Sequence, residues 1–135
     1  METDELELQR ARLNAISKII VSSAIEVHRH MGPGLLESIY QHCLIAELRF
    51  NKLHVEQRVP VSLYYKSMLL DKKFEIDLLI EREIILELKT VDYIDALFEA
   101  QLLSYLRLTD KRLGFIINFH VPLMKDGFKR MVNNF

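Results

Sequence analysis

The chain is poor in the residues that cross-link or punctuate a fold. Of its 135 residues, four are glycine, three proline and one, Cys43, cysteine. A lone cysteine cannot close an intramolecular disulfide, which fits a reducing compartment, and a cytoplasmic location is expected. No apolar run is long enough to span a membrane. The start, Met1-Glu2-Thr3-Asp4-Glu5, is acidic rather than basic-then-apolar, so no signal peptide is expected. An excess of charge is missing too, with 18 basic against 19 acidic side chains. That balance speaks against coating nucleic acid through a general basic surface, although a local basic rim remains compatible with it. There is no internal repeat, low-complexity tract or linker. What remains is the length of one domain, expected to span residues 1–135. Half of its residues are hydrophobic, enough for one substantial core.

The few glycines and prolines mark joints. Ile16, Ile19, Ile20, Ser23, Ala24 and Val27 recur at three- and four-residue spacing, which predicts a helix with one buried stripe. Met31-Gly32-Pro33-Gly34 ends it. A second helix is expected from about Leu35 to Phe50. Its main apolar stripe reads Leu36, Ile39, Cys43, Ala46 and Phe50, with Glu37, Tyr40, Leu44 and Leu48 as an adjacent stripe. After Asn51-Lys52 the period changes to two. Val59, Val61, Leu63 and Tyr65 alternate, with Pro60 marking an edge or strand start. Met68-Leu69-Leu70 and Phe74 to Ile80 read as further strands separated by a charged turn, Asp71-Lys72-Lys73. Glu81-Arg82-Glu83 reads as another turn before Ile84 to Leu88. Val91 to Leu108 is expected to be helical, Gly114 to Phe119 a buried strand, and Val121-Pro122 to Phe135 a loop with a short terminal helix.

Two acids interrupt the apolar strands. Asp77 lies within Phe74 to Ile80, and Glu87 lies within Ile84 to Lys89. If Glu81-Arg82-Glu83 is a three-residue loop pairing Ile80 with Ile84, the same register sets Asp77 opposite Glu87. Their Cβ atoms would stand roughly 5 Å apart, with Lys89 on the same face. Facing carboxylates repel and each favours its protonated form, which a divalent cation reverses. The other reading is the solvated face of an amphipathic hairpin, since Glu75-Asp77 and Glu87-Lys89 would also share such a face. The hairpin alone leaves these two readings level.

Residues elsewhere shift the balance. Asp77 with Glu87-Leu88-Lys89 resembles the D…ExK core of the PD-(D/E)XK nuclease superfamily, with Ile76 where the signature has proline. Gly34-Leu35-Leu36-Glu37-Ser38-Ile39-Tyr40 is similar to the GxxExxY signature of one family within it. Gln101 and Tyr105 resemble the QxxxY motif of the phage-exonuclease and recombination-nuclease branch. Val27 to Gly34 and Ile117-Asn118-Phe119 also look like that family, so the resemblance runs from about Ile16 to Val132.

The resemblance implies a restriction-endonuclease-like α/β core, an α+β mixed sheet flanked by helices. It implies Mg2+ or Mn2+ held by Asp77, Glu87 and the carbonyl of Leu88, with Glu37 reaching in from its helix, often through water. Lys89 would position the attacking water, Gln101 would steady Lys89, and Tyr105 would lie one turn along the same helix face. The implied activity is hydrolysis of phosphodiester bonds, in DNA before RNA, by a water bound to the metal. The alternatives are a nuclease-fold protein that binds or regulates through a partner, and a small interaction domain that retains the residues. A homodimer or a recruiting protein would supply the affinity that the neutral composition does not. The histidines and Cys43 read as structural or surface groups, and Lys72-Lys73, Arg29, Lys111-Arg112 and Lys129-Arg130 read as solvated surface before phosphate contacts.

Overall fold

The computed structural model of the chain describes residues 2–135, with side chains from Thr3 onward. Met1, the first residue of the expected 1–135 span and of the expected leaderless acidic start, lies outside the described residues. Helices α1 (Glu2–Met31) and α2 (Glu37–Phe50) come first. Strands β1 (Val55–Tyr65), β2 (Met68–Ile80) and β3 (Ile84–Lys89) follow. Helix α3 (Ala96–Thr109), strand β4 (Leu113–Asn118), a 3-10 turn (Met124–Gly127) and strand β5 (Phe128–Val132) complete the order. The strands form one mixed sheet in the order β1-β2-β3-β4-β5. All neighbours are antiparallel except β3 and β4, which α3 connects in parallel. This is a mixed five-stranded sheet with flanking helices, an α+β architecture consistent with the expected restriction-endonuclease-like core.

The helices cover both faces. Leu13, Ile16, Ile20, Ala24 and Val27 of α1 pack with Tyr40, Leu44, Ile45 and Leu48 of α2 against Leu78, Ile80, Ile84, Leu86 and Leu88. On the opposite face Leu102 and Leu106 of α3 pack against Ile76, Leu79, Ile85 and Ile116. Helix α3 lies so close to β4 that a Cβ on Gly114 would stand 3.0 Å from both the Ile85 carbonyl oxygen and the Leu102 side chain. Covered on both faces and flanked by strands on both sides, β3 is buried from Ile84 to Leu88. Its near-unbroken aliphatic run follows from that position.

Four local expectations are corrected. In α2 the buried stripe is Tyr40, Leu44, Ile45 and Leu48, while Leu36 and Phe50 are exposed. Both stripes are apolar, and tertiary contact selects between them. Tyr40 stacks on Phe119 with ring centroids 4.6 Å apart. Its hydroxyl donates to the Gly32 carbonyl and accepts from the Leu35 amide at 3.1 Å. Asp71-Lys72-Lys73 is no turn, because β2 runs through it; the reversal is at Lys66 and Ser67, both with positive φ. Residues 91–95 form a loop, since Asp95 caps α3 by accepting from the Leu97 and Phe98 amides. The C-terminal segment forms β5 rather than a helix, because β4 offers it an edge from Leu113 to Ile117.

Candidate active site

The Glu81-Arg82-Glu83 loop pairs Ile80 with Ile84, Leu79 with Ile85 and Leu78 with Leu86, the expected register. The ladder then stops. Ile76 packs on the α3 side, yet Leu78 and Ile80 pack on the α1 and α2 side. In a regular strand these three would share a face, so the alternation slips by one at Asp77. Across from the slip, between the pairs Gln57–Leu78 and Val59–Ile76, Arg58 has φ 51°. Beyond Leu78–Leu86, neither Asp77 with Glu87 nor Ile76 with Leu88 pairs in the ladder. Side chains replace it: the Leu88 amide donates to Oδ2 of Asp77 at 2.9 Å, and the Asp77 amide donates to Oε2 of Glu87 at 3.0 Å. The expected direct ladder pairing of Asp77 with Glu87 is thus a reciprocal side-chain-to-amide exchange.

That exchange commits one oxygen of each acid. Oδ1 of Asp77 and Oε1 of Glu87 accept no hydrogen bond among the described residues, and neither is sealed from solvent. Alternate residues of a strand turn their backbone groups to opposite neighbours. The Lys89 carbonyl accepts from the Phe119 amide on the β4 side. The carbonyl of Leu88, like its amide, therefore points toward β2 into the gap beside Asp77.

The electrostatics follow from burial. Glu87 is only 5% exposed, so it does not lie on a solvated face. Loss of water, then the charge of Asp77, raise its pKa to about 8, against the pull of the Asp77 amide and Lys89. Asp77 is also raised, first by burial, while the Leu88 amide and Lys89 oppose the shift. Glu37 stands in the first turn of α2, one turn before the buried Tyr40. Its residue surface is exposed, yet its carboxyl is raised by partial loss of water and then by Asp77, with Lys89 opposing. Tyr105 is raised by burial, then by Glu87 and Asp77. Carboxylates from β2, β3 and α2 and a phenol from α3 therefore share one field.

Not every expected residue joins them. The Lys89 ammonium rests over the Phe98 ring, 4.5 Å from its centroid, and forms no ion pair with the acids. Gln101 is exposed and hydrogen-bonds to none of the site residues among those described. No set of three His, Cys, Asp or Glu side chains among the described residues is gathered closely enough to hold a metal ion by itself. The donors fit a hard cation in another combination: two free carboxylate oxygens, one carbonyl pointing into the gap, and water. His28 is a buried helix-end residue 2.8 Å from the Val121 carbonyl.

The framework around Lys89 was not legible residue by residue. Asn118, 2% exposed, accepts from the Val91 amide at 3.1 Å and donates to the Val91 carbonyl at 2.8 Å. It also accepts from the His120 amide at 3.2 Å. It thus clamps the segment leaving Lys89 onto the end of β4. The available signal was a single polar residue closing the wholly apolar Leu113 to Ile117. Phe74 stacks on Tyr105 with centroids 4.0 Å apart, joining β2 to α3 beside the acids.

Comparison with known proteins places this geometry. No curated protein and no solved structure matches the chain. A family model described as PD-(D/E)XK nuclease superfamily matches residues 14–131, which include Glu37, Asp77, Glu87, Lys89, Gln101 and Tyr105. With nearly its whole length matched and its acids set where β2 parts from β3, the chain belongs to the PD-(D/E)XK nuclease superfamily.

Proposed function

We propose that the chain is one nuclease domain that hydrolyses phosphodiester bonds of DNA with Mg2+ or Mn2+. Asp77, Glu87 and the Leu88 carbonyl would hold the cation, with Glu37 reaching it through water. The observation that carries this reading is the reciprocal exchange between Asp77 and Glu87. It orients both carboxylates through backbone amides and leaves one oxygen of each free, where burial makes an uncompensated charge costly. A divalent cation supplies positive charge for a phosphate and makes a water more acidic. The protein's own groups do the remainder. The amides of Asp77 and Leu88 fix the carboxylates, Lys89 orients a water or meets phosphate charge after leaving Phe98, and Tyr105 closes the α3 side. Gln101 is assigned to steady Lys89 once substrate is present. The spacing of Gly34, Glu37 and Tyr40 and of Gln101 and Tyr105 supports the GxxExxY family and its QxxxY branch. A cytoplasmic location is supported by the single cysteine.

The test is cleavage of single- and double-stranded DNA and RNA with Mg2+ or Mn2+, beside Asp77→Ala and Lys89→Ala. Metal-dependent cleavage lost in both variants is expected; cleavage that persists in both would sink the mechanism. A second reading, a nuclease-fold protein that binds or regulates through a partner or as a homodimer, is favoured by Lys89 resting on Phe98 with Gln101 apart. Binding without cleavage under every metal condition would select it.

A further inference from the structure

The β1–β2 hairpin is longer than the sheet needs. Strand β3 pairs with β2 only from Leu78 to Ile80. From Ile76 outward β1 and β2 pair only with each other, to the reversal at Lys66 and Ser67. The hairpin's base is fixed: Phe74 stacks on Tyr105, and Val59, Val61 and Ile76 pack in the α3-side core. Its outer half is open to solvent, with Tyr64 63%, Tyr65 58%, Met68 58% and Leu69 60% exposed. Beyond Phe74 its charged residues are Lys66, Lys72 and Lys73 against Asp71. None of the three lysines forms an ion pair among the described residues, and Lys66 lies 5.5 Å from the Tyr65 ring centre.

A chain that is neutral overall thus carries an excess of unpaired cations and exposed aromatics on the one element projecting from the strand of Asp77. Rigid attachment at Phe74 holds the arm in register with the acids. At about 3.3 Å per residue, Lys72 lies roughly 17 Å and the tip roughly 33 Å along β2 from Asp77. Phosphates of one duplex strand advance about 3.4 Å per base pair along the axis. The arm therefore matches about one duplex turn, and a two-stranded ribbon is narrow enough for a major groove about 12 Å wide.

We propose that this arm is a nucleic-acid clamp that grips the duplex flanking the cleaved phosphate, its lysines on the backbone and its tyrosines against base edges. The proposal rests on the nuclease reading for the position of that phosphate, but its test is binding. Fluorescence anisotropy without divalent metal would compare labelled duplexes of two turns and of half a turn, the latter too short to run from Asp77 to the tip, and a single strand of the longer length. The variants are Lys66→Ala with Lys72→Ala and Lys73→Ala, and separately Tyr64→Ser with Tyr65→Ser. Circular dichroism confirms that each is folded.

On the two-turn duplex the lysine variant should bind on the order of tenfold more weakly. Its salt slope should flatten by about 0.9 for each phosphate it no longer neutralises, and its preference for long over short duplex should shrink. Unchanged affinity and slope, or no binding of any nucleic acid by the wild type, would overturn the proposal. Equal loss on the half-turn duplex would overturn it as well, since the arm could not be reached. A loss confined to the single strand would replace groove binding by base stacking and overturn the duplex assignment. Tyrosine variants that break a dimer in sedimentation while binding DNA normally would make the arm a contact between copies instead. Wild-type binding with no cleavage when Mg2+ or Mn2+ is supplied refutes the nuclease reading and leaves the arm standing; metal-dependent cleavage unaffected by the arm variants does the reverse.

Discussion

The amide of Asp77 donates to Glu87, and the carboxylate of Asp77 accepts from the amide that follows Glu87. Two acids ten residues apart thus hold each other through the backbone rather than through a shared proton. The slip of β2 at Asp77 makes this possible, because it ends the β2–β3 ladder and leaves the amides of Asp77 and Leu88 to the two carboxylates.

Asp77→Ala leaves the Leu88 amide without its acceptor and removes one cation donor. Cleavage should fall by at least about 10²-fold. Manganese binding measured by calorimetry should be lost, and denaturant unfolding should show a cost of about 1–3 kcal/mol. Retained manganese affinity would show that Asp77 is not a ligand.

The metal-free protein should lose stability as pH rises from the ordinary glutamate value of 4.5 to about 8. The folded state holds the Glu87 proton more tightly than the unfolded state does. Its contribution is therefore full below the unfolded value and lost as pH passes through the folded one, on the order of a few kcal/mol. Glu87→Gln keeps an acceptor for the Asp77 amide without the charge. It should flatten this dependence, lie within about 1 kcal/mol of the wild type near the ordinary glutamate value, and already exceed it at neutral pH. Parallel pH profiles for the two proteins in urea unfolding would contradict the burial of this acid.

Proton and cation compete for the same carboxylates. Manganese affinity should strengthen as pH rises toward about 8, with protons released on binding. Calorimetry in buffers of different ionisation enthalpy counts those protons, and an affinity independent of pH would place the cation elsewhere.

Asn118 satisfies both backbone groups of Val91. Asn118→Ala should cost about 1–3 kcal/mol for the groups it leaves buried and unpaired. Because Asn118 hydrogen-bonds to Val91 and His120 and not to the acids, kcat should fall through displaced Lys89 while manganese affinity stays near that of the wild type. Equal loss of both would assign Asn118 a general role in folding.

Tyr40→Phe keeps the stack on Phe119 and removes the bonds to Gly32 and Leu35. About 1–2 kcal/mol should be lost in denaturant unfolding. Tyr40→Ala also opens a cavity, at about 3–5 kcal/mol. Similar costs for both would mean that the hydroxyl, not the ring, holds α2 to the turn before it.

Period and punctuation were enough for α1, the start of α2, the Glu81-Arg82-Glu83 loop and β4. In each, one apolar pattern had one solution. In α2 the pattern had two, and Leu36, Ile39 and Phe50 looked as ready for burial as Tyr40, Leu44 and Leu48. Only the Phe119 ring and the Gly32 turn select between them. At Asp71-Lys72-Lys73 charge read as a turn, because nothing in the local sequence says that β1 and β2 run on there as a hairpin without β3 beside them. The C-terminal strand was illegible for the converse reason: its partner, β4, lies across a turn and supplies the hydrogen bonds.

By itself the sequence determined which residues carry charge into apolar strands, and the loop length that brings Asp77 and Glu87 together. Both are local properties, set by side-chain alternation and turn size. The tertiary structure decided whether those charges are wet or buried. It did so by covering β3 with helices on both faces and strands on both sides, which leaves Glu87 5% exposed. It also decided how the acids are held, through a slip in β2 that exchanges ladder bonds for side-chain bonds. Burial and slip depend on elements far apart in the chain, and no spacing within either strand encodes them.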